Sequence, residues 1–335
     1  MSAWGGENEV TGEISYSDAI VQLSYIFCYC AVNVYAIISG YLMSGVEHIK
    51  LGRIIELWLE VLFFSVTISA IHAILTGNIS FKELLCALFP ILTRRWWYVS
   101  SYFAIFLFIP YFNKLIKNMS RSDYKKFLVL ICLVFSLGST ISSAAGIDTF
   151  NLATGCSPVW LMMLYFFGGY KRKYGGNEKN WNYFGKYVIC GLALFLVWLI
   201  TLVVTKKIFG VDKLSNLFIA YTSPFVIYMA YEFVQFCVGL NISNCKVIQK
   251  ISEITLGVYL VSEHPVIREK YVVNSMLSYT NLSVAPRLGI LLLATTIMFS
   301  CALFLSCIQN LFFKLLKIRK LADQMGNYIN KHCRF

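Results

Sequence analysis

Residues 288–313, LGILLLATTIMFSCALFLSCIQNLFF, run for 26 residues without an acid, a base or a histidine, and Arg287 and Lys314 close the stretch at its two ends. As a helix it would be about 39 Å long, more than the roughly 30 Å of a bilayer's hydrocarbon core. Eight more apolar runs precede it, at about 20–43, 54–75, 96–113, 127–146, 156–170, 187–205, 214–235 and 247–263. The pattern predicts an all-α, polytopic integral membrane protein of about nine transmembrane helices, with 156–170 and 247–263 the shortest. Nine spans of roughly 20 residues use about 180 positions. The remaining loops are too short for a soluble catalytic domain, so whatever the chain does is done inside the helices and at their mouths. The expected organisation is one membrane-embedded domain over 1–335, with 1–19 an extracytoplasmic tail and 314–335 a cytoplasmic tail.

Composition agrees with that reading. Of 335 residues, 58% are hydrophobic and 14% charged, and mean hydropathy is +0.66. Ordinary soluble domains are roughly 45–50% apolar and about 25% charged, and disordered chains are the opposite of greasy. The net charge of +12 would suggest nucleic acid in a soluble protein, but here the bases alternate by loop. One set of loops holds 20 Lys and Arg, including Lys50, Arg53, Lys171, Arg172 and Lys173, and the other set holds 9. By the positive-inside rule the first set is cytoplasmic, which puts the N-terminus outside and the C-terminus inside. The partner implied is a lipid bilayer, and the charges need no nucleic acid. Eleven cysteines sit mostly inside apolar runs and form no CxxC pair. The four histidines are too scattered for metal-ligand spacing, and no metal is expected.

Ionisable residues within membrane runs are costly and are the first candidates for function. His264, in Ser262-Glu263-His264-Pro265 with Arg268 nearby, offers an imidazole suited to general-base work at neutral pH. It reads equally as an interfacial histidine bonded to its own loop. His72, alone on the outer half of its helix, is a second candidate base or a packing residue. Glu232 is expected at an interface. Trp97, Tyr98 and Tyr102 open the third run: they form either an aromatic belt or a face for stacking sugar rings, with Arg94 and Arg95 placed to hold an anionic acceptor. Ser39-Gly40-Tyr41 is either a small-residue pair for close helix approach or part of a substrate site.

At these residues the chain resembles a known family. Ala31 to Met43, AVNVYAIISGYLM, is similar to the "FFxISGYLL" helix of the acyltransferase 3 family, integral-membrane O-acyltransferases that modify bacterial surface sugars. Trp97-Tyr98-Val99 with Tyr102, Pro110 and Asn113 resembles its "WFLxxY…PxLN" helix. Val159 to Tyr170, VWLMMLYFFGGY, resembles its "WFxxLYxxGxY" segment, and Ile251 to Arg268, ISEITLGVYLVSEHPVIR, its "ISxxTxGIYLIHxHxxIR" segment. The four occur in family order.

The resemblance implies transfer of an acyl group other than an aminoacyl group: acetyl from cytoplasmic acetyl-CoA to a hydroxyl of a capsular or extracellular polysaccharide or its lipid-linked precursor. It implies Lys50 and Arg53 as anchors for the CoA, and Arg94, Arg95, Trp97, Tyr98, Tyr102 and Glu263 as acceptor-binding residues. Ser39, Tyr41 and Asn113 would line the polar interior, and the location would be the bacterial cytoplasmic membrane. The family core has ten helices and this chain nine, so the expectation is that the first helix, which carries the family's arginine and basic histidine, is missing. Ser262 stands where the family has the histidine of "YLIH". His264 and His72 remain to supply a base. A polysaccharide flippase or transporter, or an inactive truncated relative, are the alternatives.

Overall fold

A computed structural model of the chain describes residues 16–78, 80–176, 180–210, 214–240, 245–273, 279 and 282–333. Among these, every regular element is helical. In chain order they are α1 (Tyr16–Tyr29), α2 (Ala31–Met43), α3 (Leu51–Thr76), α4 (Phe81–Leu88), α5 (Trp97–Asn118), α6 (Arg121–Ile131), α7 (Ser139–Ala144), α8 (Pro158–Tyr174), α9 (Asn180–Phe209), α10 (Pro224–Val238), α11 (Lys246–Ser262), α12 (Val284–Leu315) and α13 (Ile318–Cys333). A π-helical stretch, Cys132–Gly138, joins α6 to α7, and another, Ile267–Val273, follows α11.

Among the described residues, six helical segments are long and apolar enough to cross a membrane: Ala19–Met43, Leu51–Thr76, Trp97–Asn118, Arg121–Ala144, Asn180–Phe209 and Ala285–Leu315. The chain is therefore a multi-pass membrane protein, but the expected nine is not reached. The three remaining runs fold as α8, α10 and α11, of 17, 15 and 17 residues. Two of them start at a proline, and for α10 this shortens the expected run by ten residues. Pro158 and Pro224 each occupy the first helical turn, where a missing N–H costs nothing, and the serine before each, Ser157 and Ser223, is an extended N-cap that ends the helix there. Residues 214–223, expected inside a span, instead form a 3-10 turn at Ser215–Phe218 and a loop.

The chain divides into two compact units that alternate along the sequence. Of the described residues, one comprises those within 16–18, 50–103 and 245–333; the other comprises those within 19–49 and 104–240. The first unit is built on α3, α11, α12 and α13. Its core is Val61, Phe64 and Ile68 of α3 against Trp96, Val99, Leu260, Val261 and Ala302. Gly257 lets α11 sit directly on Phe64 and Ser306, where a Cβ would collide with both.

In the second unit the tightest crossing joins α2 to α8. A Cβ on Gly40 would overlap the Tyr165 carbonyl, and one on Gly168 would overlap the Ile37 carbonyl and the Tyr41 amide. The Ser39-Gly40-Tyr41 segment is thus a close-packing device. Polar side chains lock the crossing. Asn33 donates to the Tyr221 carbonyl at 2.8 Å and accepts from the Trp160 indole at 3.4 Å. The Tyr124 hydroxyl donates to the Phe166 carbonyl at 2.7 Å. Glu232, expected at an interface, is only 5% exposed and accepts from Gln235 at 3.2 Å, because that face of α10 is turned inward. The basic run after α8 closes helix ends. Arg172 donates to the Tyr41 and Leu42 carbonyls at 3.0 and 2.7 Å, and Lys173 to those of Ile116, Lys117 and Met119 at 2.7–2.9 Å. Cations belong at such C-termini, where carbonyls lack partners and the helix dipole is negative.

Candidate active site

The first unit gathers polar groups where α3 ends, α5 begins and α11 ends. Ser80 caps α4, accepting from the Glu83 amide at 3.1 Å, and this fixes Glu83 in the first helical turn. The chain then turns tightly through Pro90–Arg95, with Arg94 at φ 52° and the Arg95 amide donating to the Pro90 carbonyl at 2.9 Å. That turn drives the Arg95 side chain inward: it is 4% exposed and holds Glu83 through Nη2 at 3.4 Å. Trp96, next along, is buried and donates its indole N–H to the Leu260 carbonyl at 3.1 Å, which pins the last turn of α11.

His264 follows that turn. Its ring meets Trp96 edge-on at 5.5 Å between centroids, and the residue is fully buried. Nδ1 accepts the Val266 amide at 3.3 Å, so the neutral ring carries its proton on Nε2. In this state the side chain presents a donor, and a basic role requires the other tautomer. Burial, then the nearby Arg95 guanidinium and His72, push the His264 imidazole down to about 3, so it is uncharged at neutral pH. Burial likewise pulls Arg95 down, against the opposing pull of Glu83. Three N–H groups here have no hydrogen-bond partner among the described residues: Nε and Nη1 of Arg95 and Nε2 of His264. A buried donor without a partner costs about 1–3 kcal/mol.

Beside them lies a cavity of about 220 Å³ walled by Arg94, Arg95, Trp96, Trp97, Tyr259 and Glu263. Glu263 also pairs with Arg268 at 3.3 Å. Tyr98 reaches the same neighbourhood through ring contacts with Trp97 and Tyr259, at 5.7 and 6.2 Å. Indole and phenol faces next to paired charges suit a ring that is apolar on its faces and hydroxylated at its edge.

Four of the expected site residues thus wall the cavity, Arg94, Arg95, Trp97 and Glu263, with His264 packed against Trp96 and Tyr98 against Trp97 and Tyr259 next to them. His72 is close enough to His264 to act on it electrostatically. Lys50 and Arg53 are exposed at the N-terminus of α3, the end opposite His72, and Arg53 is an electrostatic neighbour of Tyr102. Ser39, Tyr41 and Asn113 belong to the other unit. There Asn113 is 8% exposed and fully bonded: Nδ2 donates to the Met43 and Val46 carbonyls at 2.8 and 2.7 Å, and Oδ1 accepts from Tyr165 at 2.8 Å. Ser39 donates to the Tyr35 carbonyl one turn back, at 2.9 Å.

Sequence reading passed over Ser65 and Ser69, two buried hydroxyls on α3 without a hydrogen-bond partner among the described residues. With His72 they stand at i, i+4 and i+7, a polar row on one face of the mostly apolar second half of the helix, and that spacing was the available signal.

Comparison with known proteins adds one finding. Residues 6–308 match the profile of a family described as an acyltransferase domain. No curated protein and no solved structure matches the chain.

Proposed function

The chain belongs to the acyltransferase 3 family, and from that premise we propose that it is a membrane O-acetyltransferase acting on a sugar hydroxyl of a surface polysaccharide or its lipid-linked precursor. The observation that carries this reading is the cluster of unfilled N–H donors on Arg95 and His264 beside a tryptophan-walled cavity large enough for about one sugar ring.

In the proposed reaction the sugar oxygen attacks the carbonyl carbon of the acetyl thioester. The new C–O bond forms, the C–S bond breaks, and CoA leaves as the thiolate that takes up the released proton. The carbonyl oxygen becomes an oxyanion as attack proceeds, and donors fixed in advance in a dry site stabilise that charge most. His264 Nε2 and the free N–H groups of Arg95 are such donors. His72 is the base assigned to the sugar hydroxyl, and the Ser65–Ser69–His72 row gives α3 a polar face leading from it. Trp97, Tyr98 and Tyr102 hold the acceptor with Arg94 and Glu263. Lys50 and Arg53 attract the phosphates of acetyl-CoA at the other end of α3, whose N-terminal amides add to the pull on an anion. The positive-inside rule puts that end in the cytoplasm and the cavity outside.

The test is purified protein in proteoliposomes, with labelled acetyl-CoA on one side and glycan on the other. Label on the glycan is expected, and it should fall sharply in His264→Ala. Movement of unmodified glycan without label transfer would replace the enzyme with a transporter. Full transfer by His264→Ala would remove His264 from the site.

A further inference from the structure

The last helix, α13, follows α12 after only two residues, Leu316 and Lys317, the latter at φ 53°. It lies beyond the residues that match the family profile. A helix that begins two residues after a spanning helix ends, turned by a left-handed backbone step, starts at the level of the membrane surface.

Two neighbouring strips of α13 are apolar. One is occupied: Ala322 and Gly326 are buried, and Gly326 meets Gly52 of α3 so closely that a Cβ would collide with its backbone. The other is exposed: Leu321, Met325 and Tyr328, at i, i+4 and i+7, are 49%, 52% and 65% exposed. Leu315 and Leu316, at the end of α12, are exposed too and lead from the spanning segment into α13 in the chain. Lys320 and Lys331 flank it on the polar side, Lys317 and Arg319 lie at the start of the helix, and Asp323 is the one acid in α13. The Asp323 carboxylate is turned toward Gly52, away from the exposed strip.

The geometry points to α13 as an in-plane membrane anchor whose exposed strip sinks into the lipid headgroup layer while its lysines bind anionic phospholipid. An apolar strip bordered by lysines on a helix of low overall hydrophobicity is the pattern of an interfacial helix, and each base near such a surface adds about 1 kcal/mol of attraction to anionic lipid. The lipid surface is the occupant because α13 follows the preceding span directly in the chain and because the charge beside its exposed strip is positive. The contact between Gly326 and Gly52 hands the position of α13 directly to the first turn of α3, beside Lys50 and Arg53.

The experiment places the photo-crosslinking residue p-benzoylphenylalanine at Leu321, Met325 or Asn327 of the full chain, reconstituted in phosphatidylcholine vesicles with or without phosphatidylglycerol. Lipid adducts are expected from positions 321 and 325 and not from 327, with more adduct to phosphatidylglycerol than its share of the bilayer. Lys320→Gln and Lys331→Gln should each reduce that preference about fivefold, and Lys320→Arg should keep it. Equal labelling at all three positions, or adducts indifferent to the headgroup, would overturn the proposal, as would adducts to a second copy of the chain in place of lipid. Adduct formation does not depend on acyl transfer, so this result stands or falls separately from the proposed activity.

Discussion

The segments Ala31–Met43 and Ile251–Arg268 are both apolar stretches that meet a few buried polar groups, and the structure uses those groups in opposite ways. Around the first, the buried amides and the guanidinium are matched, although the hydroxyls of Ser139 and Ser223 in the same unit have no partner among the described residues. Asn33 serves Tyr221 and Trp160, Asn113 serves Met43, Val46 and Tyr165, and Arg172 closes the carbonyls at the end of α2. Around the second, Trp96 closes the Leu260 carbonyl, yet Arg95 and His264 retain unfilled N–H groups beside a cavity. Matched polar groups fix one packing arrangement; unmatched ones lower stability, and a pair of them beside a cavity is where a ligand could complete the bonding.

The sharpest way to break this contrast is to separate activity from stability. Arg95→Met removes the unfilled donors along with the 3.4 Å pair to Glu83, which is itself partly exposed. Acetyl transfer is expected to fall by at least about 100-fold, the usual cost of one oxyanion donor. The thermal midpoint in detergent should hold or rise, since a buried, half-satisfied charge is replaced by a side chain of similar length. Parallel loss of stability and activity would mean that Arg95 is a structural peg like those of the other unit.

Asn113→Ala is the reverse experiment. It leaves the Met43 and Val46 carbonyls and the Tyr165 hydroxyl without their present partner in a buried setting. A loss of about 3 kcal/mol is expected in denaturant unfolding, while the folded fraction keeps its transfer rate. A normal fold with abolished activity would move Asn113 back into the site, where the family resemblance had put it.

The sequence made the spans readable because charges flank them, and it made the cavity partly readable because Arg94, Arg95, Trp97 and Glu263 stand beside helix ends. It did not show which polar residues are matched. Asn113 meets partners about 70 residues back along the chain, and Asn33 meets one 188 residues ahead, so no local pattern distinguishes them from site residues. The inward turn of Arg95 depends on the left-handed step at Arg94, a conformation that arginine does not advertise. The starts of the short helices α8 and α10 were legible in principle: a serine followed by Pro158 or Pro224 is an N-cap with proline in the first turn, unlike Pro110, which α5 carries in its interior.

The pH dependence of His264 sharpens the comparison further. Its folded value, about 3, lies below the roughly 6.5 of an unfolded histidine. The unfolded chain therefore binds the extra proton first as pH falls. Stability from the neutral buried ring is fully present above pH 6.5 and is lost between about 6.5 and 3, at about 1.4 kcal/mol per unit. Unfolding measured against pH should show the wild type losing stability relative to His264→Gln over that window, with the two curves parallel above it. Parallel curves throughout would mean that the ring is solvated and the cavity open to water.

The smallest effect belongs to Ser39→Ala. Ser39 stands beside Gly40 in one motif, and as a sequence the two invite one interpretation. In the structure Gly40 lies at the α2–α8 contact, where no Cβ fits, while the Ser39 hydroxyl returns to its own helix at the Tyr35 carbonyl. Such a bond back into the preceding turn competes weakly with the helix and contributes little. Stability should change by no more than about 0.5 kcal/mol, and acetyl transfer should be unchanged. A selective loss of transfer would show that a polar pathway runs along α2 as well, and the division between a matched region and a reactive one would no longer hold.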